Sequence, residues 1–263
     1  MESRFSIGSA LSGAFGTIGG NPLATLGIAF LIGVLPTQVV SYIFLGTGLR
    51  AANAVLTLFR SPGGVTLYLA VTAFSVFCAM LVQATLVRVT VAHMRQEQVS
   101  IGASLATSLS KILPLLGVTI LLTLGVGLGF IVLVVPGVIG YIMWCVATPA
   151  VVAEDIGVFD AFARSRALTK GHRWKIFGLF LILLVILWIF SAIAGAILLS
   201  TGMMNGLATS LAAGSFPIGY LVFNAIVSTL TTAFFGALMA GLYVELRTAQ
   251  EGPMIDSLAE VFA

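Results

Sequence analysis

Charge is the scarcest property of this chain. Only 8% of its 263 residues are Asp, Glu, Lys or Arg, against 59% hydrophobic residues and a mean hydropathy of +1.15. A soluble domain of this length could not hide so much apolar surface, because a large share of its residues must face water. Histidine is nearly missing, with His93 and His172 only, and the acids form no cluster. That leaves no grouping of nucleophile, base or metal ligand on which to build an active site, so neither a metal nor another cofactor is expected. Two cysteines, Cys78 and Cys145, lie inside apolar runs. They supply neither a disulfide framework nor a metal-ligand spacing, and packing as small hydrophobes is their expected role. The net charge of +3 comes without aromatic interleaving, which excludes nucleic acid as a partner. The opening "MESRFSIGSALSGAFGTIGGNP" has one acid, one base and no compact apolar core, so it does not read as a cleaved leader.

What the chain does have is long apolar sequence. Runs of about 20 residues recur, long enough to cross about 30 Å of hydrocarbon as helix. Six spans are expected, at about 22–46, 65–87, 114–134, 137–153, 175–199 and 217–244. The third and fourth divide at Pro136-Gly137, a turn signal inside an uncharged run from Ile112 to Ala153 that is too long for one crossing. The expected fold is all-α: a single polytopic membrane bundle filling residues 1–263, with six transmembrane helices.

The few positive charges fall on one side of these spans. Arg4, Arg88, Arg95, Lys111, Arg164, Arg166, Lys170, Arg173, Lys175 and Arg247 share it, and only Arg50 and Arg60 lie opposite. Such an asymmetry places both termini in the cytoplasm. The stretch "DAFARSRALTKGHRWK" (Asp160 to Lys175) holds five of the twelve bases, and topology alone accounts for much of that density.

Three segments preceding span pairs are alike: "SIGSALSGA" (Ser6–Ala14), "SIGASLATS" (Ser100–Ser108) and "GVFDAFARS" (Gly157–Ser165). Ile7, Leu11, Phe15 and Ile18 in the first, and Ile101, Leu105, Leu109 and Ile112 in the second, fall on one helical stripe. The third copy keeps Val158 and Phe162 but puts Arg166 on the stripe. These segments read as interfacial amphipathic helices, or alternatively as ordinary helical loops packed on the bundle. The plan is three internal repeats of helix plus two-span hairpin, at about 5–88, 99–153 and 156–247.

Residues 141–178, "YIMWCVATPAVVAEDIGVFDAFARSRALTKGHRWKIFG", resemble the YciC-like bacterial integral membrane proteins and the membrane domain of some glycerophosphoryl diester phosphodiesterases. Trp144, Pro149, Glu154, the helix containing Asp160 and Ser165, and the "LTKG" ending at Gly171 carry the resemblance. The opening "FSIGSALSGAFGTIGGNP" and closing "GLYVELRTAQEG" look like the ends of the same family. The resemblance implies a six-helix membrane protein, and with it a bacterial inner membrane as the expected location. Hydrolysis in the phosphodiesterases belongs to a separate soluble domain with carboxylates and histidines that have no counterpart here.

Within the basic stretch, Asp155 is placed as an N-cap, Gly171 as a C′ residue, and Asp160 with Arg164 as an i, i+4 pair. Arg164, Arg166, Lys170, Arg173 and Lys175 are the candidate contacts to lipid headgroups, since an anionic leaflet attracts each such charge by about 1 kcal/mol. Glu154 is expected to pair with a nearby base rather than to serve a proton path. Gln38, Gln83 and Asn224 are in-span amides suited to interhelical hydrogen bonds, and Gly125 with Gly129 to close helix packing. Pro149 deprives the carbonyl near Cys145 of its partner and kinks the fourth span, either for packing or to open a groove for lipid.

The leading functional expectation is a non-enzymatic membrane protein that scaffolds or organises lipids or partner proteins through interfacial helices and the basic cluster. Its partners would be membrane lipids, anionic ones first, with a membrane protein or a second copy of the chain as further candidates. A transporter or channel for a lipid-like or amphipathic solute is the alternative. It requires a polar or lipid-filled path between helices, whereas a scaffold requires a closed, dry bundle. A membrane-embedded enzyme has the least support. Topology is directly testable: single cysteines at Ser3, Arg60 and Glu260 should be labelled from outside only at position 60. Outside labelling at position 3 or 260 would overturn the orientation.

Overall fold

In the computed structural model the chain is described at residues 6–46, 63–94, 101–203, 206 and 217–252. It is all-helical, with no strand among the described residues. A short α1 (Ile7–Gly20) precedes a first span made of α2 (Pro22–Ile28), a π-helical turn (Ala29–Val34) and α3 (Leu35–Gly46). The second span is α4 (Gly64–Met94), followed by the short α5 (Ile101–Ser110). Then come α6 (Ile112–Val132), α7 (Val134–Trp144) and α8 (Ala147–Glu154). The last three are α9 (Val158–Thr169), α10 (Arg173–Ser200) and α11 (Ile218–Glu251). Six helical stretches are long and apolar enough to cross a membrane: Pro22–Ile43, Gly64–Val91, Ile112–Val132, Val134–Glu154, Arg173–Ser200 and Ile218–Glu251.

The turn between the third and fourth spans is at Leu133, not at Pro136-Gly137. Leu133 is extended, with φ −163° and ψ 153°, and α7 starts at the next residue. Pro136 thereby falls in the first turn of a helix, where backbone N–H groups have no intrahelical partner and a missing one costs nothing. Gly129 and Gly137 make the hairpin tight: a Cβ on Gly129 would lie 2.9 Å from Gly137 Cα. Gly125 receives the Trp144 ring in the same way, with 2.9 Å between a built Cβ and the indole. The glycine pair packs helices, as its spacing suggested.

Pro149 acts as expected. The helix breaks at Cys145–Val146, four and three residues ahead of the proline, and resumes at Ala147. Carbonyls left over at the break are met from the side: Ser165 Oγ donates to the Met143 carbonyl at 2.8 Å, and Cys145 Sγ to Ile142 at 3.2 Å.

The core helix is α11. Its second half carries Ala233, Gly236, Ala237, Ala240 and Gly241, all buried, which lets neighbours approach closely. Leu86 of α4 lies so near Gly236 that an added Cβ would clash with its Cδ1, and Gly241 faces the Ala10 carbonyl of α1. The buried face of α1 is therefore Ala10, Ala14 and Thr17, while Ile7, Leu11 and Ile18 are only partly covered and Phe15 is exposed. In α5 the side chains of Ile101 and Leu105 lie outside the described residues; Ser108 is buried and accepts a hydrogen bond from Thr85 at 3.3 Å.

Burial is concentrated at one end of the bundle. Ile176, Leu179 and Leu183 at the start of α10 are buried, yet no residue from Leu184 to Ser200 is. Likewise α11 buries nothing before Thr229, and α4 nothing between Val65 and Phe77. Ser9 of α1 donates to Glu245 near the end of α11, so the described N- and C-terminal segments meet at the well-packed end. All eight described bases, from Arg88 to Arg247, belong to the helix ends and connections gathered there.

Replacing Gly129 with alanine tests the hairpin. Alanine gains about 1 kcal/mol of helix propensity. The clash here, however, is with backbone that cannot turn aside, and overpacking of this kind costs about 1–3 kcal/mol. A lower melting temperature in detergent is expected, whereas Gly127→Ala, which meets nothing within 4 Å, should leave it unchanged or raised.

Candidate functional site

Two polar groupings stand out in this apolar framework, one at each end. At the packed end, α8 finishes on Glu154, α9 brings Arg164 beside it, and α11 passes both. Arg164 Nε bonds both Glu154 oxygens, at 2.9 and 2.8 Å, and Tyr243 Oη donates to Glu154 Oε1 at 2.7 Å. Arg164 Nη2 also pairs with Glu251, which Arg247 Nε holds at 3.0 Å. Glu154 and Arg164 keep only 15% and 24% of their side chains exposed, and Tyr243 is fully buried. The hydrogen bond to Glu154 holds the Arg164 guanidinium above its ordinary range against the opposing cost of burial, so it stays cationic. Charged hydrogen bonds this sheltered contribute about 1.5–3 kcal/mol each. Chemically the cluster is an ionic lock joining three helices.

Several sequence expectations change here. Asp155 is not the N-cap of α9. It ends α8 in the left-handed region, with φ 56°, a conformation Asp tolerates, and its carboxylate pairs with Lys111; Gly157 takes the N-cap. Asp160 does not pair with Arg164. Its carboxylate lies back over Gly157, 3.2 Å from where a Cβ would be, beside the positive end of the helix. Gly171 is the C′ residue as expected, with φ 84°. The turn it makes ends α9 at Thr169, and Arg173 starts α10. Arg166, Lys170 and Lys175 are exposed, with Trp174 86% exposed among them, while Arg173 is partly buried. Arg164 thus faces inward, apart from the three exposed bases. Trp144 stacks edge-on against Phe162 at 5.5 Å, and Pro149 and Ser165 are buried between these helices.

The second grouping was not foreseen from the sequence. Pro36 brings no N–H to this part of the helix, and the Thr37 hydroxyl turns back onto the Gly33 and Val34 carbonyls, at 2.7 and 2.9 Å. The chain just before them widens into the π turn, a distortion that recurs at functional sites. Gly33 lets this widened turn sit against Val82, with 2.9 Å to a built Cβ. Beside it lies a recess of about 330 Å³ between the first, second and sixth spans, in the size range of small-molecule sites. Thr37, Gln38, Ser41, Ser75, Asn224, Ser228 and Thr232 line it, together with small and aliphatic residues.

Gln38 Nε2 donates to Asn224 Oδ1 across the recess, and Ser228 Oγ approaches the same oxygen at 3.4 Å. Ser41, Thr232 and the Asn224 amide nitrogen have no hydrogen-bond partner among the described residues. The third amide, Gln83, likewise makes no hydrogen bond among them, contrary to its expected role. Pro36-Thr37 in an apolar run was the available signal. The hydroxyls of Ser41, Ser75, Ser228 and Thr232 read as background until the helices are assembled. Among the described residues no three His, Cys, Asp or Glu side chains gather as a metal-holding group.

These features define a class: a multi-pass, all-helical membrane protein with a closed polar lock at one end and an intramembrane recess nearer the other. The chain belongs to the DUF7847 family, described as a domain of unknown function, whose model matches residues 5–246. No curated protein and no solved structure matches it.

The lock makes a stability prediction. Tyr243→Phe and Glu154→Gln should each lower stability in detergent, by about 1.5–3 kcal/mol, because each removes a hydrogen bond to a sheltered charge. Asp160→Asn should cost well under half as much, since Arg164 does not use it. Equal losses for Asp160 and Glu154 would mean that the lock is not the joint between these helices.

Proposed function

We propose that this is a non-enzymatic membrane protein that takes a lipid-like amphipath from the bilayer into the recess between its first, second and sixth spans. The single observation carrying this reading is the recess itself, with unmatched hydroxyl and amide groups at intramembrane depth. Water is scarce there, an unmatched polar group costs several kcal/mol, and intramembrane polar clusters commonly mark ligand paths. A closed, dry bundle, as a pure scaffold requires, would not leave such a space. The ten-to-two distribution of bases supports an orientation with both termini cytoplasmic, and a bacterial inner membrane is the proposed location.

A second element of the reading rests on the packed end. Arg166, Lys170 and Lys175 are exposed around Trp174, an arrangement that suits anionic headgroups and the membrane interface. This rim would seat the protein on the leaflet and attract lipid to it, without being the site that holds the amphipath.

Filling the recess tests the proposal. Wild type purified in mild detergent should retain lipid detectable by native mass spectrometry. Ser75→Leu with Ser228→Leu should lower retention about tenfold, while Arg166→Gln with Lys170→Gln should leave the recess-bound species in place. Equal retention by the filled variant, shown to be folded by its thermal melt, would overturn it.

A further inference from the structure

Resting on that reading, we infer that the recess accepts an uncharged, hydroxyl-bearing headgroup, as in a diacylglycerol-type lipid, whose chains lie in the seam between the first and last spans. The chemistry of the lining is the first ground. Not one of the residues around the recess is ionisable at neutral pH, and the described bases are gathered at the far end of the bundle. A phosphate or carboxylate brought here would lose its hydration with no counter-charge among the lining residues to offset the cost. Hydroxyls, amides and ester carbonyls carry no such penalty. The unmatched groups of Ser41, Thr232 and Asn224 supply both donors and acceptors for them.

The second ground is what lies next to the recess. Gln38 also borders an apolar groove of about 300 Å³ whose walls include Phe30, Leu35, Val39 and Leu221. That groove shares Phe30, Val222 and Ala225 with another of about 410 Å³, which reaches Leu26 and Leu230. The two follow one seam, between the first and last spans, for roughly four helical turns toward the packed end. Apart from Gln38, Tyr42 and Thr229, every residue lining the two is aliphatic or Phe, so hydrocarbon is the matching occupant. Polar recess and apolar seam meet at one residue, Gln38, whose bond to Asn224 bridges the two spans. A lipid lying along the seam therefore has its head at the amide pair. It gains the recess by taking over a bond that Gln38 and Asn224 now make to each other.

The experiment compares photoactivatable lipid analogues with identical chains in nanodiscs holding the full chain: a diacylglycerol, a phosphatidylethanolamine and a phosphatidylglycerol. Labelled peptides are then mapped. The diacylglycerol analogue should label the seam, at residues 26–42 and 221–232, about tenfold more than phosphatidylglycerol at equal mole fraction. Asn224→Leu should remove most of that labelling, while phosphatidylglycerol labelling near Lys170 stays unchanged. Ser41→Ala with Thr232→Ala, milder changes, should weaken it several-fold if Asn224→Leu fails to fold. Preferential seam labelling by phosphatidylglycerol would overturn the headgroup assignment and leave a lipid-holding recess intact. Absence of seam labelling by all three analogues in wild type would overturn the recess as a lipid site altogether.

Discussion

Hydrocarbon offers no hydrogen bonds, so each polar group carried into it must be met by the protein itself or by something the protein holds. That constraint explains why two polar groupings in so apolar a chain look so different. At the packed end the groups satisfy one another: Glu154 receives Arg164 and Tyr243, and Arg164 continues to Glu251. Near the other end Gln38 and Asn224 match each other only in part, and the hydroxyls of Ser41 and Thr232 remain over. The first arrangement closes on itself. The second leaves hydroxyl and amide groups over, and the proposed occupant would meet them.

Packing follows the same division. Small residues from Ala233 to Gly241 allow α1 and α4 to press on α11, and Tyr243 then has room to reach Glu154. Without that close approach the hydroxyl would be stranded in an apolar interior. Beyond Thr229, toward the start of α11, the same helix buries nothing, and the first and second spans stand off from it around the recess. The π turn is part of this change. It shifts the helical phase after Val34, so that Thr37, Gln38 and Ser41 share a face turned to the recess.

Much of the architecture was legible in the sequence, because crossing a bilayer requires length and apolarity and little else. The spans, the break caused by Pro149, the glycine contacts of Gly125 and Gly129, and the terminating Gly171 all follow from local rules. Misreadings arose where two local rules compete. Asp155 has the composition of an N-cap, but the preceding helix needed a left-handed residue to end on, and Lys111, distant in sequence, claimed its carboxylate. Asp160 and Arg164 have helical pair spacing, yet Glu154 and Glu251 offered Arg164 a more sheltered pair of carboxylates. The apolar stripe of α1 was read correctly at Ile7, Leu11 and Ile18, which pack against the core, but not at Phe15, which is exposed. In close helix packing the smallest residues mark the contact, here Ala10 and Ala14. The recess was illegible for a different reason: its hydroxyls come from three spans up to about 190 residues apart, and none is unusual alone.

The basic stretch from Asp160 to Lys175 serves two ends at once. Arg164 is turned inward to join α8, α9 and α11, whereas Arg166, Lys170 and Lys175 stay at the surface around Trp174. One base is thus spent on cohesion, and its neighbours face whatever lies at the membrane surface. A helix bundle fastened firmly at one end and loosely packed at the other can part its helices only at the loose end. A lipid drawn along the seam of the first and last spans would then meet the least resistance at Gln38 and Asn224. In the proposed reading, the lock determines where the bundle yields, and the recess determines what it yields to.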